Sequence, residues 1–137
     1  GRTRSASDIL NIQNKNLESL EYRVLTRRMV EISFEFKKTI ENGDLYGIGE
    51  LINENWKLKC QMSPNISDEQ INQWYQIGIN SGAYGGKLLG AGNGGFLMFL
   101  ALPETHDKII YELNALKNVK FKFESLGSQI IINEKKD

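Results

Sequence analysis

Gly82-Ala83-Tyr84-Gly85-Gly86-Lys87-Leu88-Leu89-Gly90-Ala91-Gly92-Asn93-Gly94-Gly95-Phe96 holds more than half of the chain's 13 glycines. Glycine weakens helices and strands. So dense a cluster marks backbone that comes close to something or takes positive φ. Phe96-Leu97-Met98-Phe99 follows at once and reads as a buried strand, so the glycines form a shaped turn entering a core strand. Asn93 stands where another glycine would fit, and asparagine tolerates the left-handed region. Successive N–H groups around such a turn can form a concave anion site. With Lys87 nearby, phosphate is the fitting ligand. A tight hairpin whose glycines only relieve crowding is the alternative. Two familiar phosphate signatures do not apply. The GxxxxGK[ST] loop is absent because Lys87 precedes the main glycine run. A dinucleotide fingerprint must open a helix, whereas this run leads into a strand.

Around the turn the period is two. Residues 83–89 and 96–102 are predicted strands, stopped by Pro103. A helix over 104–116 turns Ile109, Ile110, Leu113 and Leu116 inward. Val119-Lys120-Phe121-Lys122-Phe123 alternates as a strand with one wet face. Leu126-Gly127-Ser128 turns into a last strand over 129–133, and 134–137 is a charged tail.

Upstream the period is helical. Arg2-Thr3-Arg4 precedes the helix-starting cluster Ser5-Ala6-Ser7-Asp8, and a short helix runs to about Asn14. Two arginines beside a helix N-terminus can hold a phosphate; a solvated tail is the other reading. A long helix over 17–41 carries the stripe Tyr22, Leu25, Met29, Ile32, Phe36 and Ile40. Arg23, Arg27 and Arg28 lie off it, within pairing distance of Glu21, Glu31 and Glu35, as a solvated face. Asn42-Gly43 ends this helix and Asp44 caps the next. That helix, over 45–59, faces Leu45, Ile48, Ile52 and Trp56 inward, with Gly47 and Gly49 marking a close helix–helix approach. Ser67 to Gln70 reads as a capping box for a helix ending at Ser81-Gly82. Ile71, Trp74, Tyr75 and Gly78 make its buried side. Four helices followed by β-β-α-β-β define an α+β domain over 1–137, an antiparallel sheet with helices packed on one side.

Seventeen basic residues balance seventeen acidic ones, with 40% hydrophobic content. No net field favours nucleic acid or an anionic membrane, and no apolar run approaches a spanning helix. Cys60 has no internal partner, so a reducing, cytoplasmic setting is expected. The lone His106 has no Cys or second His at ligand spacing, and no metal site is expected. The chain opens at Gly1 without Met and is expected to be a piece of a larger protein.

Gly85-Gly86-Lys87-Leu88-Leu89-Gly90-Ala91-Gly92-Asn93-Gly94-Gly95-Phe96 resembles the C-terminal glycine-rich motif of the GHMP kinases, with Asn93 in place of a glycine. The branch of D-glycero-D-manno-heptose 7-phosphate kinases and fucokinase-like sugar kinases is the most similar. Gly1-Arg2-Thr3-Arg4-Ser5-Ala6-Ser7 resembles a Thr-Gly-x-x-Arg-Ser-Ala segment of the same branch. The resemblance implies a split ferredoxin-like C-terminal lobe of a two-lobed kinase, fed with ATP and Mg²⁺ by an N-terminal lobe that this chain lacks. It assigns Gly85, Gly86, Lys87, Gly90, Ala91, Gly92, Asn93, Gly94 and Gly95 to the wall where sugar and terminal phosphate meet. Ser81 and Tyr84 flank that wall, and Arg2, Arg4 and Ser5 are candidate sugar or phosphate contacts. No catalytic residue falls in this chain, which by itself is expected to be inactive. The implied partners are the N-terminal lobe in cis and a sugar phosphate, with self-association of the lone domain through its bare lobe-facing surface. The implied reaction is phosphorylation of heptose 7-phosphate at its anomeric hydroxyl, for nucleotide-heptose and surface polysaccharide synthesis. A free-standing small-molecule-sensing or protein-interaction module is the competing reading. An RNA-binding sheet is disfavoured by the missing aromatic RNP1 pattern and the zero net charge.

Overall fold

A computed structural model describes residues 19–62, 65–90, 92–127 and 129. The order is α1 (Leu20–Glu41), α2 (Leu45–Met62), α3 (Glu69–Asn80), β1 (Gly85–Leu89), β2 (Phe96–Leu100), a 3₁₀ turn (Pro103–Thr105) and α4 (His106–Glu112). The predicted α+β class is observed. The expected helix before Asn14 and the strand residues 130–133 lie outside the described residues.

The first three helices begin where a side chain caps their first amides. Ser19 Oγ accepts from the Tyr22 amide at 3.2 Å, which moves the start of α1 to Leu20. Asp44 Oδ1 accepts from the Gly47 amide at 2.9 Å and opens α2, as predicted. The α3 cap differs from the expected capping box. Asp68 takes the N-cap and accepts from the Ile71 amide at 2.8 Å, while Ser67 Oγ bonds Asn72 Oδ1. The last predicted helix divides into the 3₁₀ turn and a shorter α4, because Leu113 leaves helical geometry at ψ 27°.

The two strands form an antiparallel hairpin in which Gly85 pairs with Leu100 and Leu89 with Phe96. Trp56, Ile66, Ile71 and Leu88 form one core cluster, and Ala83, Ile109 and Leu113 form another. Trp74 packs against both clusters and joins them. Four residues read as buried from the sequence are exposed instead: Ile40, Leu45, Phe96 and Ile110. Ile40 and Leu45 flank the α1–α2 turn.

Val119–Phe123 is a correction. The segment has no regular secondary structure and pairs with no strand among the described residues, and Phe121 and Phe123 are 68% and 94% exposed. Alternation makes a segment fit for a sheet, but the ladder also needs a neighbouring edge in reach.

Arg28 is also more than part of a solvated face. It donates to Glu54 on α2 at 2.6 and 2.9 Å and to Glu35 on its own helix at 2.6 and 3.3 Å. The pairing ties α1 to α2. Hydrogen bonding from Arg28 holds the Glu54 carboxyl below its usual 4.5, with burial opposing. A carboxyl with a depressed folded-state pKa stabilises the fold above its ordinary value and loses that contribution as pH falls through the folded one. Glu54→Gln is therefore expected to lower the melting temperature at neutral pH. Its deficit against the wild type should shrink on acidification below the usual 4.5, which thermal melts across pH would measure.

Candidate functional site

The hairpin turn is built from backbone that few residues tolerate. Gly90, Gly92 and Gly95 have φ near 120°, and Asn93 has φ 51°. A Cβ at Gly95 would overlap the Leu89 carbonyl oxygen, so the turn closes on itself only with glycine there. Asn93 is buried, and its amide donates to the Ile66 carbonyl at 2.7 Å. Ile66 is fully buried in the core just ahead of α3. The turn is thus fastened to the core at its middle.

Helix α2 runs alongside β1 and sets the turn's other flank. At one end Gly49 lies against Tyr84 and Gly85, so close that a Cβ on Gly85 would overlap the Gly49 carbonyl. The close approach expected at Gly49 is therefore to a strand, not to another helix. In the middle, Asn53 Oδ1 accepts from the Gly86 amide at 3.1 Å and from the Tyr75 hydroxyl at 2.5 Å. Asn53 Nδ2 donates to the Tyr84 carbonyl at 3.1 Å. Burial pushes the Tyr75 hydroxyl's pKa up, which keeps it a donor. Tyr75 is also flanked by Trp56 and Phe99, each ring at 6.3 Å. At the far end Lys59 Nζ reaches the Gly90 carbonyl at 3.5 Å. Helical rise carries Gly49 to Lys59 over about 15 Å, and extended strand carries Gly85 to Gly90 over about 17 Å. The two elements therefore stay in step along their contact.

This arrangement divides the predicted wall residues. Gly85 and Gly86 are buried in β1, packed against Gly49 and the Phe99 ring. Tyr84 lies at the start of β1 with its ring edge-on to Tyr46, at the other end of the strand from the turn. Ser81 is buried as the C-cap of α3. Ser81 and Tyr84 thus precede the wall residues at the end of β1 away from the turn. Lys87 is half-buried in the middle of β1, and Gly90, Gly92, Asn93, Gly94 and Gly95 belong to the turn that follows it. Ala91, Arg2, Arg4 and Ser5 lie outside the described residues.

Asn53 and Lys59 were not singled out from the sequence. Their one signal was position. Asn53 follows Gly49 by four residues and Lys59 follows Trp56 by three, so both polar side chains share the buried side of α2. Burial, and secondarily the neighbouring Lys87 charge, lowers the Lys59 pKa below the usual lysine value. The Cys60 thiol is half-buried, its pKa pushed up by burial. Among the described residues no three His, Cys, Asp or Glu side chains converge as metal ligands. No helix among them is long and apolar enough to cross a membrane.

Helix α2, strand β1 and the left-handed glycine turn thus meet at one end of an α+β domain. The family model "GHMP kinases C terminal" matches residues 36–118, and the chain belongs to that family. It is 26% identical over 111 residues to a D-glycero-alpha-D-manno-heptose 7-phosphate kinase of Campylobacter jejuni, covering 81% of this chain and 33% of that protein. It is 28% identical over 75 residues to a bifunctional fucokinase/GDP-fucose pyrophosphorylase of Arabidopsis thaliana, covering 55% of this chain and 7% of that protein. Among solved structures, L. major mevalonate kinase in complex with R-mevalonate matches with a TM-score of 0.78 and 27% identity. That match covers 84% of this chain and 36% of the kinase. The chain thus spans a third or less of the curated relatives it matches.

Proposed function

We propose that this chain is the C-terminal domain of an ATP-dependent sugar kinase that phosphorylates a heptose 7-phosphate at its anomeric hydroxyl. The product would enter nucleotide-heptose synthesis for surface polysaccharide in the cytoplasm. The observation that carries the reading is the turn over 90–95, fastened through Asn93 to Ile66 and flanked by Lys59 and Lys87. Phosphoryl transfer asks the protein for positioning and for neutralisation of charge on the moving group. A fixed glycine turn with adjacent ammonium groups answers part of both needs. Similarity to a heptose 7-phosphate kinase over most of the chain supports the acceptor.

The remaining needs fall to a second lobe in the same polypeptide, which supplies the main ATP-phosphate loop, the Mg²⁺ ligands and the base. Its surface against this domain is bare when the domain is alone, and self-association through that surface is part of the proposal. The test is steady-state ADP release by the full-length protein with ATP, Mg²⁺ and a panel of sugars and sugar phosphates. Heptose 7-phosphate is expected to give the highest kcat/KM. Lys87→Met should lower that value about 10- to 100-fold, the range for one lost charge-assisted hydrogen bond. Residues 1–137 alone should release no ADP above background. Turnover by this chain alone, or no turnover with any sugar by the full-length protein, would overturn the reading.

A further inference from the structure

We propose that two copies of this protein associate through the outer face of α1, paired antiparallel about a two-fold axis at Arg27. The proposal goes beyond the kinase reading and does not rest on it. Among the described elements α1 packs on α2, and it buries Tyr22 and Ile32. At about 100° of rotation per residue, those two point roughly 140° to either side of Arg27. A second apolar stripe is centred on Arg27, opposite the buried side. It consists of Leu20, Val24, Val30 and Phe34, which are between 51% and 79% exposed. Helical rotation sets all four within about 60° of the stripe's centre. A surface helix ordinarily carries polar residues on that side. A continuous apolar band there marks an interaction surface.

The order of residues along the stripe points to its occupant. Val24 and Val30 lie three residues to either side of Arg27, and Leu20 and Phe34 lie seven. Arg23 and Glu31 lie four to either side, with opposite charge. A second copy laid antiparallel therefore brings Leu20 level with the copy's Phe34, Val24 with its Val30 and Arg23 with its Glu31. The two-fold axis repeats each pair once. A parallel copy would instead set Arg23 on Arg23 and Glu31 on Glu31, so charge selects the antiparallel form. Among the described residues Arg23 has no carboxylate within ion-pair distance, so it takes the copy's Glu31 without giving up a partner. Arg27 meets its own copy on the axis, and its charge is offset there by Glu31 of its own helix at 3.8 Å. One helix face is a small interface beside the roughly 800 Å² per partner that stable complexes bury, so the association depends on concentration.

The test is sedimentation equilibrium of the full-length protein, in which a surface bared only in the lone domain does not contribute. The wild type should pass from monomer to dimer as concentration rises. Phe34→Glu should weaken that association about 100-fold or more, since each dimer carries the change twice. Phe34 is 68% exposed, so the variant should melt with the wild-type monomer. Arg23→Glu should weaken association about 10-fold, and adding Glu31→Arg should return it to within about three-fold of the wild type. With Cys60→Ser in the background, Arg27→Cys should cross-link to its own copy on oxidation, and Leu20→Cys should not.

A monomer mass at every concentration overturns the proposal and means that another part of the polypeptide covers the face. A dimer that Phe34→Glu leaves intact also overturns it, placing the contact on another surface. If Phe34→Glu lowers the melting temperature, the charge swap decides alone. A swap that fails to recover what Arg23→Glu loses overturns the antiparallel pairing, as does cross-linking at Leu20→Cys in place of Arg27→Cys.

Discussion

Gly85→Ala is expected to destabilise the domain by about 3 kcal/mol or more, at or beyond the upper end of ordinary overpacking. The reason is the identity of the atoms it meets. The added methyl would occupy the space of the Gly49 carbonyl group, which is helix backbone and has no rotamer to change. Relief requires α2 to move away from β1. That movement pulls Asn53 off the Gly86 amide and draws Lys59 away from Gly90. Urea denaturation would measure the loss. A midpoint within error of the wild type would mean that the contact between helix and strand is softer than the structure has it. On the proposed kinase function, the same substitution in the full-length protein should cost activity even where the protein stays folded, because the turn would lose one of its two supports.

Asn53→Leu ranks second, with an expected cost of about 3 kcal/mol or more. Leucine keeps asparagine's branched outline but puts bulkier methyl groups where the amide oxygen and nitrogen were. What changes is that the Gly86 amide, the Tyr84 carbonyl and the Tyr75 hydroxyl lose their partner together. Each polar group left unpaired away from water costs about 1–3 kcal/mol, and part-exposure of the site holds the sum below three full penalties. Asn53→Asp separates the contributions. It keeps an acceptor for Gly86 and Tyr75 but sets a carboxylate oxygen against the Tyr84 carbonyl, so it should fall between wild type and leucine at neutral pH. Amide hydrogen exchange at Gly86 provides a local readout, with faster exchange expected in the leucine variant. Unaltered protection there would contradict the role given to Asn53.

Much of this architecture could be read from sequence because its signals are local. The stripe through Tyr22 and Ile32, the Asn42-Gly43-Asp44 break and the glycine cluster ahead of Phe96 each act within a few residues. Each produced the element expected. The parts that were missed depend on partners far along the chain. Val119–Phe123 has the right alternation, but a strand is a relation between two segments, and no described edge lies beside it. Arg28 had three acidic neighbours on its own helix, which hid its pairing with Glu54 on the next. Asn53 and Lys59 looked like ordinary helical polar residues until β1 was laid along α2. The candidate site was therefore half visible. Its glycines stood out because backbone geometry restricts residue type, and its second cation did not because a lysine is permitted almost anywhere on a surface.

The shared run of α2 and β1 also restricts which changes of length the chain can absorb. One residue inserted between Gly49 and Asn53 would turn the amide side chain by about 100° and point it away from the strand. One residue inserted in β1 would exchange the strand's two faces beyond that point. Neither error can be repaired by side-chain adjustment, because the contacts at both ends are with backbone. Insertions and deletions among relatives should accordingly be missing from 49–59 and 85–90. They should collect outside these two runs and away from Ile66, whose carbonyl holds the glycine turn.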